Sequence, residues 1–211
     1  MTARIPQPSQ SEGDVNRTPR RSVWQRDHLD ETTRELLARD SAGFLHQSVS
    51  TPCLSAIRKA EGLFIEDVAG RRYMDFHGNN VHHVGYAHPH VVGAIKAQLD
   101  ALSFAPRRFA SERAVKLAEA LSAQFRRLTG APGRVLFTPG GSDAVEVAIK
   151  LARAATGRFK TLSFWDSFHG ASLGASGVGG ESLFRSGRIG PLLPGTGHVA
   201  PFGCYRCAYG H

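Results

Sequence analysis

Apolar positions recur along this chain in two rhythms. From Val91 through Val92, Ile95, Leu99 and Leu102 they return every three or four residues, the spacing of one helix face. Pro89 suits the first turn of that helix, where a missing N–H leaves no bond unmade. Leu117, Leu121, Phe125 and Leu128 predict a second helix, capped by Ser111 and ended by Gly130. Leu29, Leu36 and Leu37 form a weaker stripe that predicts a short helix over Asp30 to Ala42. The second rhythm is short apolar runs between turn residues. Leu63 to Ile65 and Tyr73 to Phe76 predict the strands of a hairpin turned at Asp67-Val68-Ala69-Gly70. Val135-Leu136-Phe137 and Thr161-Leu162-Ser163-Phe164-Trp165 predict two further strands.

What lies between those last two strands carries the chemistry. Val135-Leu136-Phe137 runs through Thr138-Pro139 into Gly140-Gly141, and a helix is expected to start at Ser142 or Asp143 and to end at Gly157. Strand, glycine turn and helix N-terminus together make an anion cradle: free N–H groups and the positive end of the helix dipole point at one place. Only glycine lets an oxyanion come that close to the backbone. Gly-Gly-Ser is also ordinary turn chemistry, so the surroundings have to decide. A Walker A string and a Gly-x-Gly-x-x-Gly dinucleotide string are both absent. The second strand ends in Asp166-Ser167-Phe168-His169-Gly170, which puts an aromatic ring and a histidine past its carboxyl end. Carboxyl ends of neighbouring parallel strands are where α/β sheets bind ligands. A phosphate cradle beside a flat ring suits a phosphorylated aromatic. The strand–helix–strand unit predicts an α/β fold with a parallel-rich sheet and flanking helices.

Gly141-Ser142-Asp143-Ala144-Val145-Glu146-Val147-Ala148-Ile149-Lys150-Leu151-Ala152-Arg153 resembles the Gly-Thr-Glu-Ala-Asn-Glu-Ala-x-Lys-x-Ala-Arg stretch of class III aminotransferases. Three other segments resemble that family in the same order: the opening hairpin from Gly62 to Phe76, the turn Val84-Gly85-Tyr86-Ala87-His88-Pro89, and Phe168-His169-Gly170. Val145 stands where the family carries Asn, and Tyr86 where it carries His. The resemblance runs from about residue 50 to residue 211. It implies the N-terminal part of a type I pyridoxal 5'-phosphate (PLP) fold, with a small-domain hairpin before the large domain. It further implies PLP as cofactor, a primary amine or amino acid as small-molecule substrate, and a homodimer in the full-length form. Asp75-Phe76-His77-Gly78-Asn79-Asn80-Val81-His82 is similar to the branch that acts as ammonia-lyase on hydroxylated aminoethylphosphonate.

On that resemblance Gly140, Gly141 and Ser142 are the expected phosphate ligands, and Phe168 the ring stacked on the pyridine. His169 either bonds near the cofactor or satisfies backbone groups. Glu146 either orients the site or serves the helix structurally. His77, Asn79, Asn80 and His82, with His83 beside them, read as a substrate-contact loop, with donors that suit phosphonate oxygens. The lysine that carries PLP as a Schiff base is expected beyond His211, since none of Lys59, Lys96, Lys116, Lys150 and Lys160 matches the family position. No catalytic residue is therefore assigned within the chain, which is expected to be inactive by itself. The rival expectation is a non-catalytic fragment that only binds a partner subunit.

Composition narrows the rest. The 211 residues, 41% of them apolar, suffice for a real core but fall short of a whole enzyme of this type. Residues 1–27 are polar with scattered prolines and are expected to be a flexible tail. An N-terminal segment with hairpin and helix is expected over 28–105, and an incomplete PLP-binding domain over 106–211. The formal charge of +8 gathers in Arg107, Arg108, Arg113, Arg126, Arg127 and Arg134, without any nucleic-acid recognition motif. Cys204 and Cys207 have zinc spacing, but a structural zinc needs a second ligand pair, so no metal is expected. Three cysteines argue against a disulfide scaffold. With no membrane-length apolar run and no secretory leader, a cytoplasmic protein is expected.

Overall fold

The computed structural model describes residues 19–45, 53–78, 81–106, 108–185, 189–203, 205, 207, 209 and 210. Two compact units divide at Leu117 and Ala118, within one helix. Among the described residues no helix is long and apolar enough to cross a membrane.

The first unit opens with helix α1 (Pro19–His28). This corrects the expectation of a tail over residues 19–27; residues 1–18 lie outside the described part. The helix is strongly polar, so its apolar pattern could not announce it. Contact fixes it instead: the Gln25 amide donates to the Cys53 and Leu54 carbonyls at 3.2 and 2.9 Å. Helix α2 (Glu31–Gly43) begins one residue past its Asp30 cap, whose carboxylate accepts the Thr33 N–H at 2.8 Å. Leu29 and Thr33 are buried at this junction.

An antiparallel sheet follows in the order β1 (Ile57–Glu61), β2 (Phe64–Asp67), β3 (Arg72–Met74). Phe64 faces Met74 and Ile65 faces Tyr73, so the expected hairpin forms around residues 68–71. β1 carries Arg58, Lys59 and Glu61, and its mixed charge hid it from an apolar reading. Buried Asp67 locks the hairpin turn. Its carboxylate accepts the Arg71 N–H at 2.9 Å, Arg71 Nε at 2.8 Å and the Tyr73 hydroxyl at 3.2 Å. Helix α3 (Pro89–Ala101) then lies where its stripe predicts.

Helix α4 (Glu112–Thr129) also agrees with its stripe and ends at Gly130, whose φ of +74° is the left-handed cap that glycine supplies. Neither α3 nor α4 buries a residue; Ile95, Leu99, Leu117, Leu121, Phe125 and Leu128 all remain exposed.

In the second unit helix α5 (Gly141–Thr156) starts from Gly140 and closes at Gly157, φ +66°. Strand β4 (Thr161–Phe164) pairs in parallel with β5 (Thr196–Val199), Thr161 facing Thr196 and Phe164 facing Val199. Two expectations are corrected here. Residues 135–137 join no ladder among the described residues; a strand needs a neighbour's N–H and C=O, and β4 finds its partner in β5 instead. The segment 170–203, whose richness in Gly, Ser and Pro predicts a loop, is not simply loop. It holds helix α6 (Leu173–Val178), a 3-10 turn (Ser182–Phe184) and β5, so the β4-to-β5 connection is itself a strand–helix–strand crossover. The mixed helix-and-strand architecture is the α/β class expected.

Candidate cofactor site

α5 begins with a bare backbone. Gly140 precedes it with extended φ and ψ and no side-chain cap, and the first helical bond runs from Ala144 N–H to Gly140 C=O at 3.0 Å. The N–H groups before Ala144 therefore have no partner within the helix. A β-carbon placed on Gly141 would meet no atom within 4 Å outside its chain neighbours and its own helix backbone, whereas one on Gly140 would stand 3.6 Å from the Asp143 carboxylate. The Ser142 Oγ accepts the Ala171 N–H at 3.2 Å. One lone pair is thus occupied while the hydroxyl hydrogen stays available to an acceptor.

The segment that meets Ser142 is the turn after β4. Asp166 adopts φ +61°, a conformation that aspartate tolerates better than most residues. The Ser167 hydroxyl donates to the Phe164 carbonyl at 2.7 Å, and the Ser167 carbonyl receives the Gly180 N–H at 2.8 Å. Gly180 is obligatory there, because a β-carbon would sit 2.1 Å from the Phe164 carbonyl oxygen. Phe168 meets Phe184 in a tilted contact, ring centres 4.7 Å apart, and remains 56% exposed. His169 is exposed and makes a long 3.4 Å contact from Nε2 to the buried Ser163 hydroxyl, a side-chain partner rather than a backbone group.

Glu146, one turn along α5, holds the next part of the same segment. Its Oε1 accepts the Ser172 hydroxyl at 2.6 Å and the Ala175 N–H at 3.0 Å. The Ser172 hydrogen bond lowers its pKa; burial opposes this, and the Ala175 and Gly174 N–H groups add to the lowering. The carboxylate is therefore ionised at neutral pH. The sequence leaves open whether Glu146 orients the site or serves the helix, and its partners Ser172, Gly174 and Ala175 are not legible in it. The signal for them was the run Gly170, Gly174, Gly177, Gly179 and Gly180, which marks close packing as well as loop.

His77 and His82 lie in the first unit, on the loop between β3 and α3. Asp75 organises it: Oδ1 accepts the His77 and Gly78 N–H groups at 2.8 and 3.0 Å, and Oδ2 accepts the Tyr86 hydroxyl at 2.5 Å. That hydroxyl and the two N–H groups hold Asp75 at a pKa of about 2. The Tyr86 ring lies 4.0 Å from the His82 ring, centre to centre. Asp75, His77, Gly78, Val81, His82 and Tyr86 line an open cavity of about 280 Å³. Asn79 and Asn80, expected here as substrate contacts, lie outside the described residues, as does Cys204. Among the described residues no group of three His, Cys, Asp or Glu side chains is placed to hold a metal.

The Aminotransferase class-III family model matches residues 46–204. This chain belongs to the class III aminotransferase family. It is 51% identical over 199 residues to the (R)-1-hydroxy-2-aminoethylphosphonate ammonia-lyase of Vibrio splendidus, covering 94% of this chain and 41% of that protein. It is 36% identical over 147 residues to the acetylornithine aminotransferase of Bacillus subtilis, covering 69% of this chain and 36% of the relative. Among solved structures, taurine:2-oxoglutarate aminotransferase from Bifidobacterium kashiwanohense, in complex with PLP and glutamate, superposes with a TM-score of 0.73. That match has 33% identity and covers 84% of this chain and 40% of the other. The chain thus spans about two fifths of the length of these class III proteins.

Membership in the family implies PLP. The residues present fit its phosphate end: a helix N-terminus without side chains at Gly140 and Gly141, a serine hydroxyl whose oxygen accepts the Ala171 N–H, and an exposed aromatic ring on the segment that contacts that serine.

Proposed function

We propose that this chain forms the phosphate-binding part of a PLP-dependent ammonia-lyase acting on a hydroxylated aminoethylphosphonate. The observation that carries the cofactor half is the open N-terminus of α5, where Ser142 keeps its hydroxyl hydrogen free. Gly140, Gly141 and Ser142 bind the phosphate through N–H groups and the Ser142 hydroxyl, aided by the dipole of the sixteen-residue helix behind them. Phe168 covers one ring face and excludes water from it. His169 steadies that turn through Ser163. When bound, PLP supplies an electron sink for chemistry at the substrate's amino carbon.

The lyase branch is favoured by the 51% identity to a protein of that activity, against 36% to an aminotransferase. His77 and His82, with Asn79 and Asn80, would then meet the phosphonate oxygens. A cytoplasmic homodimer belongs to the same reading. None of Lys59, Lys96, Lys116, Lys150 and Lys160 matches the family's cofactor lysine, and no turnover is assigned to these residues alone.

Titration with PLP and with pyridoxal, which lacks the phosphate, tests the cradle. PLP should bind at least about tenfold more tightly, ~1.4 kcal/mol. Equal affinities would remove it. The branch is tested in a preparation that includes a lysine at the family's cofactor position. Ammonia release from (R)-1-hydroxy-2-aminoethylphosphonate without any keto acid marks the lyase. Strict dependence on 2-oxoglutarate marks a transaminase and overturns that half.

A further inference from the structure

Ser142 and Glu146 stand four residues apart on α5, so their side chains leave the helix on one face, one turn apart. Residues 170–175 run against that face and touch both. Ala171 N–H bonds to Ser142 Oγ at 3.2 Å. Ser172 Oγ–H and Ala175 N–H both bond to Glu146 Oε1, at 2.6 and 3.0 Å. The approach is close enough to forbid side chains opposite each anchor. A β-carbon on Gly170 would fall 2.3 Å from Ser142 Oγ, and one on Gly174 would fall 2.2 Å from Glu146 Oε2. Two residues of one helix face and two glycines of the facing segment thus form a clip.

Of the two anchors, Glu146 is the stronger. Hydrogen bonds to an ionised carboxylate are worth about twice those to a neutral acceptor, and Glu146 receives the Ser172 hydroxyl and the Ala175 N–H, with the Gly174 N–H adding to them, where Ser142 receives one N–H. Ser172, bonded to Glu146, is the next residue after Ala171. Whatever holds Ser172 also holds the Ala171 N–H in place over Ser142. A serine near a helix start that lost this N–H would be free to turn its hydroxyl toward local backbone carbonyls.

We propose that Glu146 is a positioning residue for the cofactor phosphate. Through Ser172 and the start of α6 it holds the Ala171 N–H on Ser142 Oγ, and this leaves the Ser142 hydroxyl hydrogen directed to an anion at the helix N-terminus. The same clip sets where Phe168 and His169 stand, because Gly170 follows them directly. The inference rests on the reading of α5 as the PLP phosphate cradle.

The experiment compares PLP and pyridoxal binding in the 211-residue protein and its variants, with amide hydrogen exchange at Ala171 and Ala175 measured alongside. In Glu146→Ala the preference for PLP over pyridoxal should fall at least about tenfold, and both amides should exchange faster. Glu146→Gln keeps an oxygen that can accept from Ser172 and Ala175, and it should retain most of the preference. A purely structural Glu146 would give faster exchange and lower thermal stability in Glu146→Ala with the full PLP preference intact; that result overturns the proposal. Should Glu146→Ala not fold, Ser172→Ala removes a single hydroxyl bond. It is expected to weaken PLP several-fold with pyridoxal unaffected, and an unchanged preference there overturns the proposal equally. A wild-type protein that binds PLP and pyridoxal alike overturns the cradle and this inference together, whereas a preference that survives in the variants overturns this inference alone.

Discussion

Gly170 approaches Ser142 so closely that a β-carbon on it would stand 2.3 Å from the serine Oγ and 2.9 Å from the serine Cα. Gly170 also holds φ +121°, a conformation that side chains avoid. Gly170→Ala must therefore push the segment after β4 away from α5 and adopt a strained backbone as well. The expected cost is at least about 2 kcal/mol, from overpacking and strain together. Urea unfolding reads it directly, and an unchanged midpoint would mean that the close approach does not exist in solution.

Gly141 gives the opposite test. Space around its Cα is open, so Gly141→Asp meets no clash. It also adds an acid to the first turn of α5, where the dipole favours it by about 0.3–1 kcal/mol. Stability should hold or rise. PLP affinity should nevertheless fall at least about tenfold, since a carboxylate would occupy the place of the phosphate. Stability and affinity moving in opposite directions is the signature; a fall in both would point to misfolding, and unchanged PLP titration would remove the cradle from this helix end.

The parts of this chain that sequence made legible are those whose signal is local. Gly140 and Gly157 bracket α5, Asp30 caps α2, and Pro89 opens α3, because caps and breakers act within one turn of themselves. The parts it concealed depend on partners far along the chain. α1 is charged and is fixed by the carbonyls of Cys53 and Leu54. Residues 135–137 have a strand's composition but no ladder, while β5, with Gly197 at its centre, has a weak strand signal and pairs with β4. In the site, the glycine turn and Phe168 could be read from spacing and resemblance. The Glu146–Ser172 bond spans 26 residues and could not.

Tyr86 stands where the family pattern has His, and its hydroxyl is the first cause of the low Asp75 pKa of about 2, against an ordinary 3.8. Tyr86→Phe deletes that donor and leaves the His77 and Gly78 N–H groups in place. The Asp75 pKa should rise partway toward 3.8. Because the folded value lies below the unfolded one, Asp75 stabilises the fold above about pH 4 and loses that contribution as pH falls toward 2. Tyr86→Phe should make stability less dependent on pH in this window. Carboxyl-carbon NMR titration measures the shift, and an Asp75 that still titrates near 2 in the variant would assign its ionisation to the backbone N–H groups alone.

Asp67 and Arg71 set up the last test, because both ends of their contact reach beyond the turn they close. Asp67 is fully buried at the end of β2. Burial pushes its pKa up, but the Arg71 N–H, the Arg71 guanidinium and the Tyr73 hydroxyl outweigh that, and the carboxyl titrates below the usual range. The Arg71 guanidinium also donates to the His28 carbonyl, at the end of α1. Removing the carboxylate leaves half-buried donors unmatched on Arg71 and Tyr73, so Asp67→Ala should cost about 2 kcal/mol. Asp67→Asn keeps one oxygen for the Arg71 N–H and should cost less. The sign with pH follows from the lowered pKa. The wild-type advantage over Asp67→Ala is complete above the unfolded aspartate value near 3.8 and shrinks as pH falls through the lower folded value. Urea unfolding of both variants at pH 7 and at acid pH measures this. An advantage that grew on acidification would mean that Asp67 is protonated in the folded protein and that the Arg71 contact is not ionic.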